Sequence, residues 1–503
     1  GARIWRFKMN YISTRNGSGK PVSAAQAIKQ GLAADGGLYM PENIPELDSQ
    51  DFAELCEMTY PERAAYVLSR FLTDYNYEEL LDDCRAAYSE EKFPGGAAPI
   101  RKLSDDKFVL ELWHGPTAAF KDMALQIMPK LLSRALEKTG EERTALILVA
   151  TSGDTGKAAL EGYRDVPGVK IEVFYPVDGV SEVQKLQMAT QTGENVRVRA
   201  IKGNFDDAQT GVKKIFGNAE FARELDAENV FLSSANSINW GRLVPQIVYY
   251  VSAYCDLINS GEVYAGEMIN VTVPTGNFGN IFAAFLAKKM GVPINRLVCA
   301  SNVNNVLTDF LETGVYDRNR EFHTTMSPSM DILISSNLER LLYVAAGSGA
   351  TADYMKKLSE SGRYEITPDL KHKLDIHFTG LFCDEKETAK TIKKTFKDSG
   401  YLIDPHTAVG LGCADKYMKD NGDGIKMLIA STASPYKFAA DVFESLTGKK
   451  ASGSLAALEE LTKLTGTPIP YPLAGIGGRE VRFTEVITKD EMTDSVREFA
   501  AGK

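Results

Sequence analysis

The sequence predicts an α/β protein with a mainly parallel sheet, from two observations. After the Pro-Gly-Gly run at residues 94–96, short apolar runs alternate with helical patterns as far as residue 447. Several of these runs end in polar, glycine-containing loops that pass directly into a helix. Alternation of this kind builds parallel sheets, whose strand ends form the ligand edge. We expect residues 94–447 to form the core, residues 9–93 an N-terminal region and residues 448–503 a C-terminal appendage.

The composition favours a protein that acts on small molecules. The chain has 503 residues, of which 44% are hydrophobic and 25% charged, and this length implies two or three domains. A formal net charge of −10 argues against nucleic acids and acidic membranes as partners. We find neither an apolar run of membrane-spanning length nor a signal peptide, so we expect a cytoplasmic monomer or weak homodimer. Residues 1–8 are expected to be an artificial leader before a natural start at Met9.

The cysteines and histidines favour neither a disulfide framework nor a metal site. No two of the six cysteines form a C-x-x-C pair, so we expect reduced thiols. Among the five histidines only His372 and His377 are close in sequence, and a spacing of five does not place both on one helix face. We therefore predict that no metal is bound.

In the N-terminal region, residues 11–13 are strand-like and residues 60–88 show helical periodicity. The run at residues 16–20, NGSGK, has the composition of a phosphate loop. However, Pro21 follows it and no strand-loop-helix pattern surrounds it. We predict a turn there.

Residues 114–122 join a predicted buried strand to a helix that is expected to continue to Gly140. Asp122 lies where a side-chain acceptor, or a negative charge near the helix dipole, would stabilise the start of this helix. Lys121 lies beside Phe120, and a lysine that loses hydration there has a lowered pKa and attacks a carbonyl more readily. The alternative is a solvent-facing lysine next to a carboxylate.

A second polar loop lies between a predicted strand at residues 145–150 and a helix predicted to start at Lys157. Backbone amides and hydroxyl groups at a helix start can bind an anion. The candidate ligands are Ser152, Gly153, Asp154 and Thr155. The glycine spacing excludes a nucleotide P-loop, and an ordinary strand-to-helix turn is the alternative. Residues 145–235 are expected to form a smaller, mobile lobe.

A third loop, at residues 236–242, opens an apolar helix that reaches residue 250. Ser237, Asn239 and Arg242 combine polar groups with a planar guanidinium, which suits an oxyanion such as phosphate. The alternative is a capped helix with a solvated arginine.

A fourth loop follows a predicted strand at residues 269–274 and precedes a helix at residues 281–290. Its two glycines allow close backbone approach to a phosphate at the helix start. The loop consists of Gly276, Asn277, Phe278, Gly279 and Asn280. Residues 347–352 match the glycine spacing of a dinucleotide-binding loop, but a helical pattern precedes them and we reject that interpretation.

The strand predicted at residues 425–430 ends in hydroxyl side chains at the ligand edge of the sheet. Ser431, Thr432 and Ser434 are candidates to meet a ring nitrogen.

Four motifs in this order closely resemble threonine synthases of the longer bacterial and fungal form. They are HGPTAAFKD at residues 114–122, SGDTG at 152–156, NSxNxxR at 236–242 and GNFGN at 276–280. The resemblance implies a fold-type-II pyridoxal-phosphate enzyme with two α/β lobes and the cofactor in the cleft. It implies that Lys121 forms the Schiff base, that residues 276–280 hold the cofactor phosphate and that Thr432 meets the pyridine nitrogen. Asp154 would face the cofactor where shorter enzymes have asparagine.

The resemblance also implies the reaction, conversion of O-phospho-L-homoserine and water to L-threonine and phosphate. Ser152, Thr155, Ser237, Asn239 and Arg242 are the candidates to bind the substrate phosphate. A dehydratase or sulfhydrylase with the same cofactor needs no second phosphate site. A phospho-lyase that releases a 2-oxo acid stays open as an alternative. A non-catalytic binding protein would be expected to lack Lys121.

Overall fold

A computed structural model describes residues 7–503, so most of the expected leader lies outside the described residues. The N-terminal region is largely helical and includes a two-stranded antiparallel sheet. Its elements are β1 (Tyr11–Ser13), α1 (Ala24–Gln30), β2 (Tyr39–Pro41), α2 (Ser49–Cys56), α3 (Tyr60–Phe71) and α4 (Tyr77–Ala87). The ring of Trp240, from a later helix, lies 5.6 Å from the rings of both Tyr11 and Phe71. The N-terminal region is therefore packed into the main core.

The single helix predicted from residue 123 to Gly140 is wrong, because two helices occupy this segment. β3 (Ile100–Lys102) and β4 (Lys107–Glu111) are followed by α5 (Asp122–Leu125) and α6 (Met128–Lys138). Pro129 has no N–H to bond the carbonyl of Leu125, and its ring clashes with that carbonyl in a continuous helix. The same carbonyl oxygen packs against Gly162 of a later helix. A Cβ at residue 162 would lie 2.0 Å from this oxygen, so only glycine fits there.

The next four strands are parallel neighbours in the order β7-β6-β5-β8. They alternate with helices as follows: β5 (Thr144–Ala150), α7 (Asp154–Tyr163), β6 (Val169–Pro176), α8 (Glu182–Ala189), β7 (Val196–Lys202), α9 (Phe205–Phe216), α10 (Ala219–Ala227) and β8 (Val230–Ser233). Helix α7 starts at Asp154, earlier than the predicted Lys157, so the polar loop is shorter than its sequence indicates.

A second, six-stranded sheet has the order β13-β10-β9-β14-β4-β3, with only the edge strand β3 antiparallel. This part of the chain forms α11 (Trp240–Asn259), β9 (Ile269–Pro274), α12 (Gly279–Met290), β10 (Ile294–Ser301), α13 (Val306–Thr313), β11 (Val315–Asp317), α14 (Leu338–Ser361), β12 (Arg363–Glu365), α15 (Pro368–Asp375), β13 (Phe378–Phe382), α16 (Glu385–Ser399), α17 (Pro405–Asn421) and β14 (Lys426–Ser431). Strands β11 and β12 lie on either side of α14 in the sequence and form a separate two-stranded antiparallel sheet. Residues 347–352 lie within α14, which kinks at Gly347, so they form no loop after a strand.

The residues after Gly448, which were expected to be an appendage, contribute a strand to the first sheet. After α18 (Ala439–Thr447) the chain forms α19 (Ala456–Thr465), β15 (Val486–Thr488) and α20 (Met492–Ala500). Strand β15 pairs in parallel with β7 and becomes the fifth strand of the first sheet. The hydroxyl of Ser495 in α20 donates to the buried carboxylate of Glu172 at 2.5 Å. Long-range pairing of this kind leaves little local periodicity in the sequence.

The predicted α/β fold with two mainly parallel sheets is confirmed. In the six-stranded sheet β14 lies between β4 and β9, with Ser431 opposite Glu111 and Ile429 opposite Thr272. The loops after these three neighbouring strands therefore meet at one edge. No helix in residues 7–503 is long and apolar enough to cross a membrane.

Candidate active site

Lys121 is the residue that precedes α5 and is half-buried at the edge where the three loops meet. Its loop is attached to the end of β14, because the Phe120 amide donates to the Thr432 carbonyl at 2.8 Å. Burial lowers the pKa of Lys121 to about 8, Asp154 opposes this shift, and Arg242 adds to it. With this pKa roughly a tenth of the amine is unprotonated at pH 7, far more than for an ordinary lysine, which suits a nucleophile.

Asp122 is the acidic residue in the first turn of α5, as predicted, but its side chain does not cap the helix. It is completely buried, and it accepts hydrogen bonds from the Thr117 amide at 2.9 Å and the Thr117 hydroxyl at 2.6 Å. No side chain caps α5. Burial raises the pKa of Asp122 to about 6, although the bonds from Thr117 lower it. Asp122 therefore closes the turn before Lys121 instead of capping the helix after it.

The loop at residues 151–156 is organised by Thr151, which sequence reasoning missed. Its hydroxyl accepts from the amides of Gly153 at 3.0 Å and Gly156 at 2.9 Å. Gly153 has φ +137 and packs on Gln184, so a side chain there would be strained and would clash. Ser152 is exposed and Thr155 is half-buried at the start of α7. Their roles as phosphate ligands stay predictions.

Asp154 is buried, and its negative charge forms an ion pair with a lysine of the protein. Its Oδ1 lies 2.9 Å from the ammonium of Lys437 and accepts a hydrogen bond from the side-chain Nε2 of Gln184 at 3.1 Å. Burial acts to raise the pKa of Asp154, but the charges of Lys437 and Lys121 outweigh it and hold the pKa well below its usual range. The sequence offered one signal for Lys437: it is the only charged residue between Lys426 and Asp441.

Asn239 is occupied by structural contacts. Its Oδ1 caps α11 by accepting from the Gly241 amide at 2.9 Å, and its Nδ2 donates to the Ile28 carbonyl at 2.9 Å. These contacts hold the loop against α1, and the predicted role of Asn239 in substrate binding stays a prediction. The half-buried Ser237 donates only locally, to Asn236 at 3.3 Å, and its predicted role stays open to test.

Arg242 is buried rather than solvated, with 4% of its surface exposed. Its Nη1 donates to the Ala235 carbonyl at 2.7 Å, while its Nε is buried without a hydrogen-bond partner. No carboxylate in residues 7–503 forms an ion pair with it. Burial lowers the pKa of Arg242 to about 10, and Tyr163 opposes this shift. A buried guanidinium without a partner charge has the chemistry to bind an anion, so the predicted role of Arg242 as a phosphate ligand stays a prediction.

The loop at residues 276–280 is locked against its surroundings. A Cβ on Gly276 would lie 2.4 Å from the Ser329 carbonyl oxygen, so only glycine fits. The Gly276 carbonyl accepts from the Ser335 hydroxyl at 2.6 Å, and the Asn277 carbonyl accepts from a backbone amide at 2.8 Å. Phe278 has φ +69, a left-handed conformation that turns the chain directly into α12. The first amides of α12 follow at once, at Gly279.

Asn280 carries an unused donor at the start of α12. Its Oδ1 accepts from the hydroxyls of Tyr249, at 2.7 Å, and Tyr250. These two bonds fix the orientation of the amide, and its buried Nδ2 is left without a partner. A buried amide donor in this state needs an acceptor, and it lies beside helix amides that also attract an anion.

The three hydroxyl candidates after β14 differ in whether they already form hydrogen bonds within the protein. Ser431 is fully engaged, with its Oγ 2.8 Å from the Thr407 hydroxyl and accepting from Trp113 at 3.0 Å. Ser434 accepts from the Tyr436 amide at 3.2 Å and caps a short 3-10 helix. Within residues 7–503, the hydroxyl of Thr432 makes no hydrogen bond. Thr432 is therefore the one of the three that is free to bind a ring nitrogen.

Three family models match the chain. A model of the threonine synthase N terminus matches residues 10–88, a model of pyridoxal-phosphate dependent enzymes matches residues 98–430, and a model of the threonine synthase C-terminal region matches residues 407–499. The chain belongs to the threonine synthase family. The resemblance expected from the four motifs is confirmed, and the residues after Gly448 are part of a family region.

Relatives and solved structures of this family agree. Threonine synthase of Pseudomonas aeruginosa is 38% identical over 436 residues, covering 86% of this chain and 89% of its own. Human threonine synthase-like 1 is 41% identical over 438 residues, covering 85% of this chain, which spans 58% of that relative's length. Threonine synthases from Brucella melitensis, with PLP bound, and from yeast superpose with TM-scores of 0.87 at 36% and 33% identity, each covering 98% of this chain and 99% of the other.

Pyridoxal phosphate is the cofactor of this family, and the residues present fit it. The orphaned Nδ2 of Asn280 and the amides at the start of α12 offer donors to a phosphate. Thr432 offers a hydroxyl without a partner, and Lys121 a half-buried amine with a pKa of about 8. A phosphate, a ring nitrogen and an aldehyde thus each have a matching group among the three loops that meet at one sheet edge.

Proposed function

We propose that the protein is a threonine synthase, which converts O-phospho-L-homoserine and water to L-threonine and inorganic phosphate. The reaction is a γ-elimination of phosphate followed by addition of water at Cβ. Family membership supports the cofactor and the reaction type. The substrate assignment needs a second anion site, separate from the site for the cofactor phosphate.

Arg242 carries this proposal. It is buried, forms no ion pair in residues 7–503 and has an unpartnered Nε. It lies close enough to Lys121 to lower the pKa of that amine. The loop at residues 276–280 leads into a different helix, α12, and is assigned to the cofactor phosphate, which leaves the unpaired Arg242 of α11 for a second phosphate. A charge-assisted, bidentate contact would bind that phosphate and stabilise it as it leaves.

The other side chains have defined tasks in this proposal. When bound, pyridoxal phosphate supplies the conjugated system that delocalises negative charge from the substrate carbons. The Lys121 amine, with a pKa of about 8, accepts and returns protons near Cα and Cβ. Thr432 offers an uncharged hydroxyl, and Ser152, Thr155 and Ser237 are further candidates to bind the substrate phosphate. Since Thr432 is neutral, it does not hold a proton on a ring nitrogen as a carboxylate would.

A phospho-lyase that releases a 2-oxo acid is the second candidate. The human relative is named threonine synthase-like 1 rather than threonine synthase, so its name does not assign it the threonine synthase reaction. The two reactions share the loss of phosphate and differ in the fate of the intermediate. A dehydratase or sulfhydrylase is disfavoured, because neither needs a second phosphate site at Arg242.

Product analysis separates these reactions. The holoenzyme is incubated with O-phospho-L-homoserine, with L-homoserine as the matched substrate that lacks phosphate. We expect threonine and inorganic phosphate in equal amounts, and no product from L-homoserine. Phosphate accompanied by an equal amount of 2-oxo acid would instead identify a phospho-lyase. The absence of phosphate release would contradict both reactions.

A further inference from the structure

Lys437 is a buried lysine at the junction of three loops, and none of its contacts is explained by the reaction described above. The exposed fraction of its side chain is 0%, which is rare for lysine. Its ammonium lies 2.9 Å from Oδ1 of Asp154 and donates to the Thr117 carbonyl at 2.9 Å. Both contacts are made to segments far away in the sequence.

These contacts join the two sheets of the molecule. Lys437 follows β14 of the six-stranded sheet, and Asp154 starts α7 beside the five-stranded sheet. Thr117 belongs to the loop that carries Lys121 and also binds Asp122. One ammonium group therefore connects the end of β14, the Lys121 loop and the loop at residues 151–156.

Asp154 is held from its other side as well. The Gln184 amide in α8 donates to the same Oδ1 at 3.1 Å. The carboxylate is thus fixed between α8 and Lys437, with 5% of its surface exposed. In a buried pair of this kind, removal of one partner leaves the other charged and desolvated, whereas replacement of both can be neutral.

We propose that Lys437 is a positioning residue, which fixes the loop at residues 151–156 against the Lys121 loop and sets the charges that Lys121 faces. It acts through Asp154 and Thr117 and does not itself react. The inference rests on the proposed function only for the statement that Lys121 is the reactive amine. Its tests are made without substrate, so they succeed or fail independently of the identity of the substrate.

The charged groups around these side chains define the expected directions. Around Lys121, Asp154 and Asp122 favour the ammonium form, whereas Arg242 and Lys437 oppose it. The groups that face Lys437 itself are Asp154, Asp122, Lys121 and the more distant Lys157. Loss of the Lys437 charge therefore raises the pKa of Lys121, and loss of the Asp154 charge lowers it.

The first test measures the pH dependence of cofactor uptake. The full chain is freed of cofactor, and its rate of reaction with pyridoxal phosphate is followed by absorbance. The rate depends on the unprotonated fraction of Lys121. We expect Lys437→Met to shift the midpoint up by roughly one pH unit, Asp154→Asn to shift it down, and the double variant to lie near the wild type. Shifts of the two single variants in the same direction would overturn the proposal.

The second test measures coupling in the unfolding equilibrium of the holoenzyme. Each single variant is expected to increase the equilibrium constant for unfolding at least ~100-fold. The double variant is expected to recover most of the lost stability. Lys437→Arg retains the charge, so in the first test we expect its pH midpoint for cofactor uptake to equal that of the wild type. Lys157→Met is the matched control, because Lys157 is also buried but bonds Gln191 at 2.6 Å.

The control variant is expected to show no coupling to Asp154→Asn. Should Lys437→Met fail to fold while the double variant folds, that result is itself the expected coupling. Additive effects of Lys437→Met and Asp154→Asn, or equal coupling of Asp154→Asn to Lys157→Met, would show that Lys437 does not position Asp154.

Discussion

Two segments of this molecule place a candidate anion ligand at a helix start, and they do so with different chemistry. The loop at residues 276–280 carries no lysine or arginine and offers helix amides and the Nδ2 of Asn280. The first turn of α11 instead buries Arg242, whose charge is unpaired in residues 7–503. The first segment is neutral and rigid, whereas the second is charged.

This difference matches the two phosphates in the proposed reaction. The cofactor is held at several points, including Lys121, so its phosphate needs only directed amides. The substrate phosphate is bound from solution and is released as product. A full positive charge stabilises both the bound phosphate and the leaving phosphate more than neutral amides do. Variants that damage one segment are therefore expected to leave the function of the other intact.

The largest effect is expected at Lys121, which serves both sites. Lys121→Ala removes the proton carrier and the covalent link to the cofactor, and we expect kcat to fall by about 10^4-fold. In the wild type, borohydride reduction and peptide mapping should place the pyridoxyl group on Lys121. A pyridoxyl group on a different lysine would end this assignment.

Gly276→Ala is expected to damage the neutral site alone. The added Cβ would lie 2.4 Å from the Ser329 carbonyl, and the bond from Ser335 restrains the loop on its other side. We expect the Kd for pyridoxal phosphate to rise roughly 100-fold, because a locked backbone relieves little of the strain. Gly349→Ala is the matched control, since its Cβ meets no atom within 4 Å. An unchanged Kd would remove this loop from the cofactor site.

Arg242→Ala is expected to damage the charged site alone. Loss of a charge-assisted contact to the substrate phosphate costs about 2 to 5 kcal/mol, which lowers kcat/KM at least ~30-fold. Arg242→Lys should recover part of this loss, because a point charge does not reproduce a bidentate contact. Steady-state kinetics with O-phospho-L-homoserine measure both variants. Near-normal kcat/KM in Arg242→Ala would contradict the assignment.

The smallest effect is expected at Thr432, which is proposed to make one neutral hydrogen bond. Thr432→Val keeps the shape, and the loss of about 1 kcal/mol lowers kcat about 5-fold. The absorbance spectrum of the bound cofactor should change as well. In Ser431→Ala we expect an unaltered spectrum, because that hydroxyl is already engaged by Thr407 and Trp113. A spectral change in Ser431→Ala alone would reassign the ring partner.

The sequence predicted the strands and the polar loops of the site well, because apolar periodicity and strand-to-helix junctions are local features. β9 (Ile269–Pro274) begins and ends where the sequence predicted. The break before α6 escaped the pattern, although Pro129 was a visible signal. The fifth strand of the first sheet, β15, was missed because its pairing with β7 is a long-range contact.

The site residues divide in the same way. Lys121 was identified from its local setting, but the partners of the buried carboxylates were not: Asp154 pairs with Lys437 from a distant loop, and Asp122 bonds Thr117 within its own turn. Asn239 has the residue type of a ligand and yet its amide is used by Gly241 and Ile28. Burial and pairing are properties of the folded chain, and only the structure distinguishes an unpaired Arg242 from a solvated one.

The most direct test of two separate anion sites is a calorimetric titration of the holoenzyme with inorganic phosphate, the expected product. We predict one phosphate bound per wild-type chain, at least ~30-fold weaker binding in Arg242→Ala, and a Kd for pyridoxal phosphate unchanged by that substitution. Phosphate binding of wild-type strength in Arg242→Ala, or loss of phosphate and cofactor binding together, would contradict the account.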